Sequence, residues 1–131
     1  MDGRPHGTRT EVALAVILRQ GRCFAQRRDP RALRLAGLWE FPGGKLEPGE
    51  TPRAALVREL GEEIRWTPDR MEPLGPPLEH AYPHGRVVLH PFLCQGAPDP
   101  ATDLAWGWFT RAELAALPMP AANRTLLGRI P

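Results

Sequence analysis

Long apolar runs are missing from this sequence. None approaches the ~20 residues needed to cross a bilayer as a helix, which excludes a helical membrane protein. The opening stretch Met1–Arg9 is polar, and the apolar segment behind it carries no cleavage-site pattern, so a cytoplasmic protein is expected. Cysteine is scarce: Cys23 and Cys94 have no metal-ligand spacing and are too few for a disulfide framework. Each lies in an apolar run and reads as a buried thiol of a reducing compartment. No charge of one sign dominates either. Seventeen Lys and Arg face 15 Asp and Glu, a net charge of +2, which is no broad basic footprint, and no stable nucleic-acid partner is expected. Repeats and linkers are also missing. With 131 residues, 42% of them apolar, the chain suits one hydrophobic core and a single domain over residues 1–131, with 1–9 as a flexible N-terminus.

What is present alternates between strand-like and helix-like patterns. Glu11–Leu18 is β-rich, Gln20-Gly21 turns it, and Arg22–Arg28 returns as a hairpin partner. Residues 29–38 read as a loop. Trp39–Phe41 reads as a short strand before the breaker cluster Pro42-Gly43-Gly44. A helix follows: Thr51 can cap it, Pro52 suits its first position, and Leu56, Leu60 and Ile64 form a stripe with Val57 beside it. Thr67-Pro68 is the expected stop. Further on, Met71–Leu78 reads as a strand broken at Pro73. Arg86–Cys94 reads as an edge or bulged strand because of Pro91, and Trp106–Phe109 as a short strand. Arg111–Leu117 and Asn123–Ile130 read as short helices. The whole is one mixed α/β arrangement.

The chemistry is concentrated in Gly43–Glu50 and the helix behind it. Glu59 and Glu63 stand one helical turn apart, with Glu62 nearby, on an arc beside the apolar stripe. Three carboxylates so placed repel one another, and a hard divalent cation such as Mg²⁺ would relieve them. Gly43 and Gly44 allow a close backbone approach, and the Gly43 carbonyl is a further candidate ligand. Arg58 can bridge to Glu50 or a neighbouring carboxylate and fix its direction. The cluster Arg27, Arg28, Arg31 and Arg34 precedes these carboxylates, a pairing suited to a polyanion held by arginines and a metal together. Singly, each feature is usually a solvated helix face or a plain turn; the ordered coincidence is what carries weight.

That coincidence resembles the Nudix box, a glycine, five residues, a glutamate, seven residues, then arginine–glutamate, a hydrophobic residue, any residue, glutamate–glutamate, any residue, glycine and a hydrophobic residue. The matching positions are Gly44, Glu50, Arg58, Glu59, Leu60, Glu62, Glu63 and Trp66, while Arg65 stands where the pattern has its last glycine. Leu38–Lys45 and Met119–Asn123 extend the similarity to the MutT-like subgroup, over roughly Ala13 to Leu127. The resemblance implies an αβα sandwich with a mixed β-sheet between helices. It implies a monomeric Mg²⁺-dependent enzyme, with Mn²⁺ as a substitute, that hydrolyses nucleoside triphosphates, oxidised dGTP above all, to a monophosphate and pyrophosphate. Its role would be nucleotide pool sanitation in support of DNA repair. It assigns Gly43, Glu59, Glu62 and Glu63 to the metal, with Arg58 and Glu50 completing the catalytic set, and Arg28, Asn123, Tyr82, Lys45 and Trp39 to the substrate. Relatives place a further glutamate before the strand of Trp108. Thr102 occupies that place here, leaving Asp103 and Asp99 as candidate additional carboxylates.

For several of these residues an ordinary structural role competes. Asn123 can equally be an N-cap for the last helix, Trp39 and Tyr82 can be packing residues, and His80, His84 and His90 lack metal-ligand spacing. Two other functions also compete. A CTP or modified-dCTP pyrophosphohydrolase fits the same Leu-Trp-Glu-Phe stretch, though an aspartate would be expected where Asn123 stands. A non-catalytic module reading oxidised guanine in DNA would not be expected to keep Glu59, Glu62 and Glu63 together.

Overall fold

The computed structural model describes residues 8–83 and 85–131, so most of the N-terminal segment expected over 1–9, together with His84, lies outside the described residues. Thr8 and Arg9 already belong to the first strand. The elements run β1 (Thr8–Arg19), β2 (Arg22–Arg27), β3 (Trp39–Glu40), β4 (Gly43–Lys45), α1 (Pro52–Ile64), β5 (Arg70–Pro73), β6 (Leu78–Tyr82), β7 (Gly85–Gln95), β8 (Trp106–Phe109), α2 (Arg111–Ala115) and α3 (Ala121–Arg124). A 3₁₀ turn over Leu127–Arg129 follows.

β1 organises the sheet. It runs parallel to β7 from Thr8 to Ile17, pairs antiparallel with β4 over Val12–Leu14, and turns into β2 at Leu18–Arg19. β2 carries β3 and β8, and β7 carries β5 and β6, all antiparallel. The continuous apolar run of β1 follows from burial on both faces. Ala13, Ala15 and Ile17 pack with Leu56, Leu60 and Ile64 of α1, while Leu14 and Val16 pack with Leu114, Met119, Ala122, Leu126 and Ile130. The result is a mixed sheet between helices, the αβα sandwich implied by the sequence. Burying each of the three α1 side chains stabilises the sandwich by about 1.5–3 kcal/mol.

Helix α1 begins as its sequence suggests. Thr51 accepts a hydrogen bond from the Ala54 N–H at 3.1 Å, and Pro52 occupies the first turn. Its buried face differs by one residue. Ala55, not Val57, completes the stripe; a step of ~100° beyond Leu56 carries Val57 out to 41% exposure. The helix also stops before the expected Thr67-Pro68. Arg65 takes the left-handed conformation (φ 50°, ψ 45°), and its N–H returns to the Leu60 carbonyl. Trp66 is thereby turned inward, where it is 2% exposed and donates its indole N–H to the Pro98 carbonyl at 2.8 Å.

Other boundaries move for equally local reasons. The expected strand 71–78 is two strands, since Pro73 ends β5 and β6 begins afresh at Leu78. β7 is not an edge: β1 lies on one side and β5 and β6 on the other. Pro91 is tolerated because it falls between the stretches paired with β5 and β6, where its carbonyl accepts the Leu74 N–H. The last helices are shorter than 111–117 and 123–130. Thr110 and Glu113 form a reciprocal capping box at the start of α2, and α3 ends at Arg124. Cys23 and Cys94 are free, buried and packed into cores on opposite faces of the sheet. Burial pushes their thiols up to about 11 and about 12, respectively.

The exit of α1 yields a stability test. A left-handed conformation costs a non-glycine residue roughly 1–2 kcal/mol, partly offset by the greater unfolded-state freedom of glycine. Arg65→Gly is expected to raise stability by up to about 1 kcal/mol, and the β-branched Arg65→Val to lower it. Urea unfolding midpoints at constant m-value check both directions.

Candidate active site

Two adjacent glycines bring strand β4 against β1 and α1 for different reasons. Gly43 has φ +148°, and a Cβ there would meet the Ala13 carbonyl oxygen at 2.0 Å. Gly44 faces the helix instead: its Cβ would fall 2.4 Å from the carboxyl carbon of Glu59. The first glycine lets the strands pair, and the second leaves room for a carboxylate.

Arg58 gathers the acidic residues around this corner. Its Nε and Nη2 grip both oxygens of Glu50 at 2.8 and 3.0 Å, and Nη2 also donates to the Lys45 carbonyl at 3.1 Å. Nη1 reaches Glu59 at 3.0 Å and Glu62 at 3.3 Å. The Arg58 guanidinium and the Glu47 backbone N–H hold the Glu50 carboxyl down to about 2, while Glu50 and Glu59 raise the pKa of Arg58. A carboxylate gripped at both oxygens anchors the loop to the helix and is a poor proton acceptor.

Glu63 stands in a different environment. The residue is exposed, and its Oε1 accepts from Gln26 Nε2 at 2.5 Å and faces the Gly43 N–H at 3.4 Å. Desolvation of this carboxyl, with repulsion from Glu40 and Glu59, pushes it up to about 7 against the hydrogen bonds. Glu40 is raised too, chiefly by burial, and is held by Arg28 at 2.9 Å. Gln26 and Glu40 were not singled out from sequence. Gln26 sits in a plain β pattern, and only the pairing of β2 with β3 sets it beside Glu40.

The remaining candidates divide. Asn123 is 7% exposed and accepts from the Phe41 N–H at 3.0 Å through Oδ1. It is not the N-cap of α3, a place taken by Pro120. Lys45 is exposed and pairs with Val12, and Trp39 packs edge-on against Phe109 at 5.2 Å. Tyr82 ends β6 beside the His80 ring, on the sheet face that carries Val87 and Leu89. Of the basic cluster, Arg28 reaches Glu40. Arg27 bonds the Gly37 carbonyl, Arg31 pairs with Asp29, and Arg34 is exposed. Asp99 pairs with Arg19 at 2.5 Å, and Asp103 is exposed.

Among the described residues, no three His, Cys, Asp or Glu side chains already converge as a cation cage. The expected three-carboxylate arc is split, since Glu62 is 64% exposed and turned to Arg58. The donor chemistry nevertheless fits a hard cation. Glu59 and Glu63 lie beside the Gly43–Gly44 backbone, and carboxylate and carbonyl oxygens are the ligands such an ion takes.

The family model for the NUDIX domain matches residues 12–129. The chain belongs to the NUDIX family. An Escherichia coli 8-oxo-dGTP diphosphatase is 33% identical over 124 residues, covering 92% of this chain and 95% of that protein. An E. coli CTP pyrophosphohydrolase is 54% identical over 54 residues, or 41% of this chain and 39% of that protein. The crystal structure of a MutT NUDIX hydrolase from Burkholderia pseudomallei superposes with a TM-score of 0.82 at 28% identity, covering 95% and 99% of the two chains. The protein is a MutT-like Nudix hydrolase acting on nucleotide phosphoanhydride bonds, in a family that is generally Mg²⁺-dependent.

The two glycines of this Nudix hydrolase can be separated by experiment. Gly44→Ala meets the flexible end of Glu59, so it is expected to fold with little loss of stability. By displacing that carboxylate it should lower kcat about 100-fold, the effect of ~1 Å misplacement. Gly43→Ala meets backbone and is expected to destabilise the fold by several kcal/mol. Melting curves alongside steady-state kinetics distinguish the two.

Proposed function

We propose that the protein is a nucleoside triphosphate pyrophosphohydrolase that releases a monophosphate and pyrophosphate, with oxidised dGTP as its preferred substrate. The observation that carries this reading is the acidic corner of Glu59 and Glu63 against Gly43–Gly44, on the opposite side of the sheet from the Phe41–Asn123 contact. The corner suits a metal-held phosphate chain, and the Asn123 amide offers a donor and an acceptor to a base. Glu59, Glu63 and the Gly43 carbonyl, with Glu62 as an outer partner, would hold Mg²⁺. When bound, the ion would lower the pKa of the attacking water and neutralise charge on phosphoryl oxygens.

The chain's own residues do the positioning. Arg58, fixed by both oxygens of Glu50, restrains Glu59 and Glu62 without entering the reaction. Arg28 holds Glu40 and keeps a guanidinium near the nucleotide side. One of Glu59, Glu62 and Glu63, or a nearby carboxylate, would take the proton of the attacking water.

The length of the match to the 8-oxo-dGTP diphosphatase, and an asparagine at 123, favour an oxidised purine. The shorter, closer match to the CTP pyrophosphohydrolase favours the second reading. Incubation of the wild type with 8-oxo-dGTP and Mg²⁺, followed by phosphorus NMR, is expected to give pyrophosphate and a monophosphate. Chelator, Glu59→Gln or Glu63→Gln should abolish turnover with the fold retained. Turnover in excess chelator, or inorganic phosphate and a diphosphate as first products, would contradict the reading.

Base choice has its own test. The Phe41 N–H fixes which end of the Asn123 amide is oxygen. Its Nδ2, without a partner among the described residues, would donate to the base's sixth-position oxygen, and the second lone pair of Oδ1 would accept from the N–H that oxidation creates. An unpaired buried polar group costs about 1–3 kcal/mol. Asn123→Ala should therefore reduce the preference for oxidised over plain dGTP at least tenfold in kcat/KM. A wild-type preference for CTP in the same panel favours the pyrimidine alternative.

A further inference from the structure

Among the described residues, Gln26 and Asn123 are the buried polar side chains, and only Asn123 has a role suggested by sequence. Gln26 is 2% exposed, in the middle strand of three, opposite Glu40 on β3 and Trp106 on β8. A side-chain amide in such a place costs stability unless both its ends are paired. One end is: Nε2 donates to Glu63 Oε1 at 2.5 Å. The other is not. Gln26 Oε1 is buried without a hydrogen-bond partner among the described residues. Turning the amide over does not repair this, because two acceptor oxygens would then face each other at the same short distance.

We infer that Gln26 is a positioning residue that orients Glu63 toward the divalent cation of the hydrolytic site, an inference that rests on the proposed metal role of Glu63. The same Glu63 oxygen faces the Gly43 N–H from β4, so two donors on two strands converge on Oε1 and leave Oε2 for other partners. The donor is neutral, and that matters. Glu40 and Glu59 already act on Glu63, and a lysine or arginine in place of Gln26 would cancel the negative charge that attracts a cation. A leucine or methionine would leave the carboxylate without direction. An amide supplies a hydrogen bond without supplying charge. Its free Oε1 is an acceptor for a proton donor from outside the chain, and the hydration shell of a bound cation contains such donors.

The test compares Gln26→Met, similar in size and without a donor, with Gln26→His, which keeps a ring N–H of similar reach. Both are measured at about pH 8.5, some two units above the ordinary histidine pKa, so that the ring is neutral. Mn²⁺ alone is titrated into the full chain and followed by electron paramagnetic resonance, with thermal melts as a folding control. Gln26→Met is expected to weaken Mn²⁺ binding 10–100-fold, the range for residues that orient metal ligands. It should lower kcat while leaving the KM for the nucleotide within threefold at saturating metal. Gln26→His should recover most of the Mn²⁺ affinity. In a Glu63→Gln background, Gln26→Met should weaken Mn²⁺ binding no further. A folded Gln26→Met with wild-type Mn²⁺ affinity overturns the inference, as does a full additional loss in the Glu63→Gln background. If Gln26→Met does not fold, a folded Gln26→His that has lost Mn²⁺ affinity overturns it equally. Wild-type protein that neither binds Mn²⁺ nor turns over nucleotide would overturn the metal reading of the site itself.

Discussion

The close approach of β4 to β1 is the constraint from which the rest of the site follows. At Gly43 and Gly44 the strand passes where any side chain would strike the Ala13 backbone or the Glu59 carboxylate. Because the glycines remove that obstacle, the flank of α1 and the backbone of β4 come within hydrogen-bond distance. Glu63 then reaches across to the Gly43 N–H and to Gln26, tying α1, β4 and β2 at one carboxylate. Without that approach Glu59 and Glu63 would be ordinary surface glutamates on a solvated helix.

Charge, not packing, limits how such a site is held in place. The acidic corner gathers Glu40, Glu50, Glu59, Glu62 and Glu63 within reach of two arginines. The arginines are used unevenly. Arg58 neutralises Glu50 through both oxygens and shares its remaining N–H groups between Glu59 and Glu62. Arg28 offsets Glu40. Among the described residues Glu63 receives only neutral donors, and desolvation raises its carboxyl to about 7. The fold thus stabilises most of the cluster internally and leaves one carboxylate in deficit, next to the glycine backbone. Under the proposed function, a divalent cation would complete that balance where the fold supplies no basic side chain.

Much of this was legible in the sequence, and for identifiable reasons. Spaced motifs survive translation into structure because helical periodicity is rigid: Arg58, Glu59, Glu62 and Glu63 fall where a 3.6-residue repeat puts them. The cap at Thr51 and the stripe Leu56, Leu60 and Ile64 are local signals of the same kind. What sequence did not convey depends on pairing across the chain. Gln26 becomes a neighbour of Glu63, 37 residues on, only once β2 and α1 lie over the same end of the sheet. Asp99 looked available as a carboxylate until its pairing with Arg19, 80 residues away, was in view. The edge character inferred from Pro91 failed because a proline reports a missing N–H, and here that gap coincides with the break between β5 and β6.

Arg65 shows how far a motif can depart without losing its geometry. The pattern of the box has a glycine where Arg65 stands. The backbone adopts the left-handed conformation regardless, because two later contacts oblige it to turn there. Trp66 is drawn into the core with its indole N–H on the Pro98 carbonyl, and the Ala101 N–H closes on the Ile64 carbonyl. Burial of an indole is worth more than the roughly 1–2 kcal/mol of the strained arginine. The glycine is thus a convenience at this position and the buried tryptophan is the requirement. By the same logic Gly43 and Gly44 are not interchangeable with anything, since what would need to yield there is backbone in one case and a proposed metal ligand in the other.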